Sequence, residues 1–123
     1  MAKSALKTNS SPQATQRLRT VAGAVGGDSA EAHLLYDRLR LGIMSALSVN
    51  RRMSFAELKE LLGTTDGNLS RHARRLEDAG FVNCKKAFAE RVPRTHFSLT
   101  AKGKRAFEKH LEHMEALIEA TRK

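Results

Sequence analysis

Large apolar residues first fall into register at Leu34. From there Leu34, Leu35, Leu39, Ile43, Met44 and Leu47 recur at spacings of three and four, the period of a helix that buries one face. One helix is expected from Ser29 to between Ser48 and Asn50. The next is marked at its start. In MSFAEL, Ser54 and Glu57 stand three apart as a capping box, and Met53 and Leu58 take the hydrophobic-staple positions. Leu58, Leu61 and Leu62 supply its apolar face, and Gly63 stands where a glycine closes a helix. Only Thr64 and Thr65 then precede a third apolar series, Leu69, Ala73 and Leu76, which Gly80 ends. So short a joint forces a sharp angle, the helix-turn-helix arrangement. Asp66-Gly67 would signal a hairpin between two alternating runs. Here the pair opens a helix instead, with Asp66 assigned to capping and Gly67 on the side away from Leu69 and Leu76.

Beyond Gly80 the period changes from helical to alternating. FVNCKKAF and RTHFSLT each read as a strand, and the AERVP between them reads as a polar loop whose proline cannot continue a ladder. Thr100 can cap a last helix, along which Phe107, Leu111, Met114, Ile118 and Thr121 repeat in heptad fashion. The fold class is therefore mainly α with a small β-hairpin. Residues 1–28, rich in Ser, Thr, Gln, Ala and Gly with few large apolar side chains, are expected to form a flexible basic tail. Residues 29–100 form the domain proper, and residues 101–123 the C-terminal helix.

Composition narrows the function. A chain of 123 residues has room for one modest core. The single cysteine, Cys84, excludes an internal disulfide, and no apolar run approaches the length of a membrane span. A cytoplasmic location without membrane association is expected. A net charge of +9 favours a polyanionic partner. The chain carries no phosphate-cradling glycine loop with Lys-Ser or Lys-Thr, no HExxH and no GxSxG, so neither an enzyme nor a cofactor is expected. His110 and His113 share one helix face, and two from each subunit could furnish the three or four ligands that zinc requires, but surface histidines on a helix are the commoner case and no metal is expected.

The third helix carries the candidate chemistry. With Leu69, Ala73 and Leu76 inward, its outward side holds Gly67, Arg71, Arg74 and Asp78, flanked by Ser70 and Arg75, with Asn68 at the margin. Near its start Thr65, Asn68, Ser70 and Arg71 can meet base edges or phosphates: arginine pairs bidentately with guanine, asparagine with adenine, and hydroxyls with either partner. Arg74 and Arg75, a turn further on, suit phosphates, and His72 is expected to pack inward. In the hairpin Lys85, Lys86, Arg91 and Arg94 face one acid, Glu90; Lys86, Arg91 and Arg94 are the candidate backbone contacts. The plainer alternatives are a solvated helix face and charged strands that discourage aggregation. Cys84 reads as a small core residue facing the helices.

Three helices followed by a hairpin form a winged helix. RLGIMSAL, SFAELKELLGTTDGNLSRHARRLEDAGFV and RTHFSLTAKGKRAF together resemble the small winged-helix transcriptional regulators near the MarR and ArsR groups. The resemblance implies a homodimer that binds double-stranded DNA, with the helix at about 65–79 in the major groove and a basic wing at about 85–94 on the backbone. Dimerisation is expected through the last helix, at Phe107, Leu111, Met114 and Ile118, with Leu34 and Leu35 beside it. The alternative is a winged helix used as a protein or RNA interaction module. Operator, direction of regulation and any effector ligand are not encoded legibly.

Overall fold

The computed structural model describes residues 30–89 and 92–122; the expected tail and Arg91 lie outside the described residues. The elements run α1 (Ala30–Leu34), α2 (Arg38–Val49), β1 (Met53–Ser54), α3 (Phe55–Leu62), α4 (Asp66–Asp78), β2 (Val82–Ala89), β3 (Val92–Leu99) and α5 (Ala101–Thr121). The sheet is antiparallel in the order β1-β3-β2.

The expected first helix is two helices. Asp37 breaks it: its backbone is extended, and its Oδ1 accepts from the amides of Leu39 at 2.9 Å and Arg40 at 3.0 Å, which starts α2 afresh. The apolar stripe survives the break because Leu35 folds back into the core beside Ile43, Met44 and Leu47. α3 begins as its sequence announces, with Ser54 Oγ accepting from the Glu57 amide at 3.1 Å and Glu57 Oε1 accepting from the Ser54 amide at 2.8 Å. The Ser54 amide first, and the Ser54 hydroxyl after it, hold the Glu57 carboxyl below its ordinary value. Gly63 closes α3 with φ of 59°, in the left-handed region open to glycine. Leu58 is fully buried, whereas Leu61, expected on the same face, is exposed: an eight-residue helix covers the core with barely one apolar row.

Two features of the sheet depart from expectation. Met53 and Ser54 pair with Phe97 and His96 as a third strand, too short to show alternation in the sequence. Pro93 is no loop residue but pairs with Phe88, leaving only residues 90 and 91 between the strands. β1 reaches no further than His96, so Pro93 has a strand on one side alone, where a missing N–H is tolerated.

Thr100 caps α5 as expected, accepting from the Gly103 amide at 2.9 Å and donating to the Gly80 carbonyl at 2.6 Å. This docks the first turn of α5 on the end of α4. Gly103 is what lets it sit so close, since a Cβ there would overlap the Phe81 carbonyl oxygen. The core gathers Leu58, Leu69, Ala73, Leu76, Phe81, Val82, Phe97 and Phe107 around α2.

Candidate nucleic-acid interface

The cap of α4 is Thr65, whose Oγ1 accepts from the Asn68 amide at 3.2 Å. Asp66 is therefore not the cap. It holds the first helical position, where its charge complements the helix dipole, and pairs with Lys59 of α3 at 2.9 Å across the turn. Inward, Leu69, Ala73 and Leu76 are buried; outward, Thr65, Gly67, Asn68, Ser70, Arg71, Arg74 and Arg75 are all exposed. Arg71 donates from Nη2 to Asn68 Oδ1 at 3.1 Å, so two candidate base contacts hold each other on the surface. Capping uses the acceptor side of the Thr65 hydroxyl and leaves its O–H to donate. A Cβ on Gly67 would have no heavy atom within 4 Å, so the surface is open there.

In the hairpin, the register sets the candidates apart. Lys85, Ala87, Arg94 and His96 share one face of the ladder; Cys84, Lys86, Thr95 and Phe97 share the other. Lys86 and Arg94 are both exposed, and they leave the hairpin from opposite faces. A cleft of about 760 Å³ on the Lys85 side is lined by Arg51, Arg52, Lys85 and Lys104 among others, with no acidic residue. Arg51, Arg52 and Lys104 had no periodic signal; the first two follow the C-terminus of α2, where cations complement the dipole. Arg40 was missed although its spacing from Ile43, Met44 and Leu47 puts it on their face; it is buried and meets His72, which packs inward as expected.

The C-terminal helix divides. Phe107 and Leu35 are buried in the domain's own core and are not surface residues, while Leu34 is half-buried. Leu111, Met114 and Ile118 are 42%, 37% and 48% exposed, and Tyr36 stands exposed in the α1–α2 turn. His110, read as a surface histidine, is buried edge-on against the Tyr36 ring, with centroids 5.2 Å apart. Burial, followed by the charge of His113, holds its imidazole below the ordinary value. Among the described residues no group of three or more His, Cys, Asp or Glu could hold a metal, and no helix is long and apolar enough to cross a membrane. Cys84 packs against the core, and burial pushes its thiol up, away from a reactive thiolate.

Comparison with known proteins gives the geometry a context. The profile of a winged helix DNA-binding domain matches residues 39–118. Over 73 residues the chain is 37% identical to an uncharacterized protein of Methanocaldococcus jannaschii, a match covering 59% of this chain and 79% of that one. A transcriptional regulator homologue from Pyrococcus horikoshii superposes with a TM-score of 0.70 at 33% identity, covering 85% of this chain and 95% of that one. A mutant MarR from E. coli, 18% identical, shares the fold with a TM-score of 0.61 over 87% of this chain and 81% of its own.

Proposed function

Because this chain belongs to the winged helix DNA-binding domain family, we propose that it is a cytoplasmic transcription regulator that binds double-stranded DNA as a homodimer. α4 enters the major groove, with Asn68 and Arg71 on base edges and Thr65, Ser70, Arg74 and Arg75 on base or phosphate. Gly67 lets the backbone amides of the first turn approach a phosphate. Lys86, Arg91 and Arg94 contact the backbone from the wing and supply affinity rather than sequence choice. The chemistry is recognition, not catalysis, in keeping with a DNA-binding family.

One observation carries this reading: the outward side of α4 is exposed and polar, and three arginines follow one another along it from the second turn to the last. Leu111, Met114 and Ile118 support the dimer, since they form an exposed apolar row along α5. Two-fold symmetry then matches a palindromic operator. A gel shift with DNA from upstream of the protein's own gene, titrated with salt, tests the proposal. A specific complex that weakens steeply with salt is expected, because bound Lys and Arg release counterions. A chain that retains no duplex at low salt would instead be a protein or RNA interaction module.

A further inference from the structure

Besides its apolar face, α4 is joined to α2 by a buried polar contact between side chains. Arg40, in the first turn of α2, is only 8% exposed. Its Nε donates to the Leu34 carbonyl at 2.7 Å, where α1 ends, and its Nη1 lies 2.9 Å from Nδ1 of His72 on α4. A guanidinium has donors only. His72 Nδ1 must therefore present its lone pair, which makes the imidazole neutral with its proton on Nε2. The same Nδ1 lies 3.8 Å from Asp37 Oδ1, an oxygen already taken up by the amides of Leu39 and Arg40. His72 directly follows Arg71, the outward arginine, so a tie at His72 sets the rotation at which Arg71 is offered.

We propose that the Arg40–His72 hydrogen bond is a clamp that fixes the rotation of α4 for DNA recognition, and that His72 is a positioning residue whose protonation releases it. A proton on Nδ1 would confront the Arg40 donors and turn the ring toward Asp37. The charged groups around the ring are Asp37, Arg38 and Arg40 from the α1–α2 side and Arg71 and Arg75 from α4 itself. Burial first, with Arg40, Arg71 and Arg75 adding to it, holds the imidazole below its ordinary 6.5 against the opposing pull of Asp37. The sign follows: the clamp is intact above pH 6.5 and is lost as pH falls through the lower, folded-state value.

The clamp rests on the DNA-binding reading above, and two measurements on the full chain separate them. The first uses a duplex that the protein selects from a random pool, against a scrambled duplex. His72→Phe removes the acceptor, Arg40→Met removes the donors, and His72→Asn puts an acceptor that cannot titrate, its Oδ1, at the place of Nδ1. At about pH 7.5 the Phe and Met variants should lose about tenfold in preference for the selected duplex while the Asn variant stays close to wild type. As pH falls through the folded-state value below 6.5, the wild type should lose preference and the Asn variant should not. The second is hydrogen exchange without DNA: α4 amides should open faster in the Phe and Met variants while α3 amides keep their protection. If Arg71→Ala leaves binding unchanged, the DNA reading fails and exchange still judges the clamp. If Arg71→Ala weakens binding while the Phe and Met variants match wild type in both measurements, the clamp is wrong.

Discussion

α4 and α5 obey the same helical period and turn opposite chemistry to the outside. On α4 the apolar residues Leu69, Ala73 and Leu76 are all covered by the domain, and what faces out includes Asn68, Ser70 and three arginines, with Glu77 and Asp78 at the far end. On α5 the apolar residues are covered unevenly: Gly103, Phe107 and, near the far end, Ala120 are buried, while Leu111, Met114 and Ile118 are exposed. Length contributes. At about 1.5 Å per residue, a helix of 21 residues spans roughly 30 Å, enough to present a second apolar row outside the core. Periodicity therefore identifies an apolar face without saying whose surface covers it. The outward face of α4 suits a polyanion, and the far half of α5 suits another apolar surface.

The largest effect is expected where α5 is anchored. Gly103→Ala drives a methyl into the Phe81 carbonyl, backbone against backbone, and should cost about 3 kcal/mol of stability in a urea melt. A loss below about 1 kcal/mol would show that α5 can slide, and that its inner half is no better seated than its outer half. Next comes the outer half. Charging Leu111 and Ile118 together, Leu111→Glu with Ile118→Glu, should weaken dimer association by about 2–3 kcal/mol and leave the domain's own melt nearly unmoved. Light scattering reads this directly. A wild-type mass of one chain at micromolar concentration would remove the contrast, since α5 would then expose its apolar row to water alone.

How much of this was readable depended on whether a signal was local. The Ser54–Glu57 box, the Gly63 closure, the Thr100 cap and the inward triad of α4 were legible because each needs only residues three or four apart. The Asp37 break was not, because the apolar spacing runs through it unbroken and only a cap hydrogen bond marks it. Nor was β1, whose two residues are a strand solely because Phe97 and His96 lie beside them. At the candidate interface the polar face of α4 followed from its apolar one. The separation of Lys86 from Arg94 required the register of β2 on β3, which no single strand contains. Arg40 shows the limit most clearly. Its position on the buried stripe was visible, but a charged residue there makes sense only with His72, thirty-two residues later, as its acceptor.

Arg71→Ala tests the α4 side of the contrast. It should lower specific DNA binding by about 1–3 kcal/mol and leave the mass of the particle as in wild type. The melt should barely move, because the side chain is exposed and Asn68, to which it donates, is exposed too. Operator binding equal to wild type would shift recognition off this helix face. The Leu111 and Ile118 variant should show the reverse order of effects, with mass changed first and DNA affinity lowered only through the lost second half-site.

The smallest effect is the most discriminating. Glycine in the first turn of α4 lowers helix stability by about 0.5–1 kcal/mol relative to alanine. Nothing in the domain asks for it: the backbone is helical, and an added methyl would meet no heavy atom within 4 Å. Gly67→Ala should therefore raise the melt slightly, the opposite sign to Gly103→Ala, where the same methyl meets a neighbouring backbone. If a phosphate does approach the amides of this turn, the methyl stands in its path and DNA binding weakens while stability rises. That pairing of signs separates a glycine kept for an absent partner from one kept for the fold. A gel shift and a urea melt on one variant are enough to read it, and unchanged binding would leave Gly67 without a role at the interface.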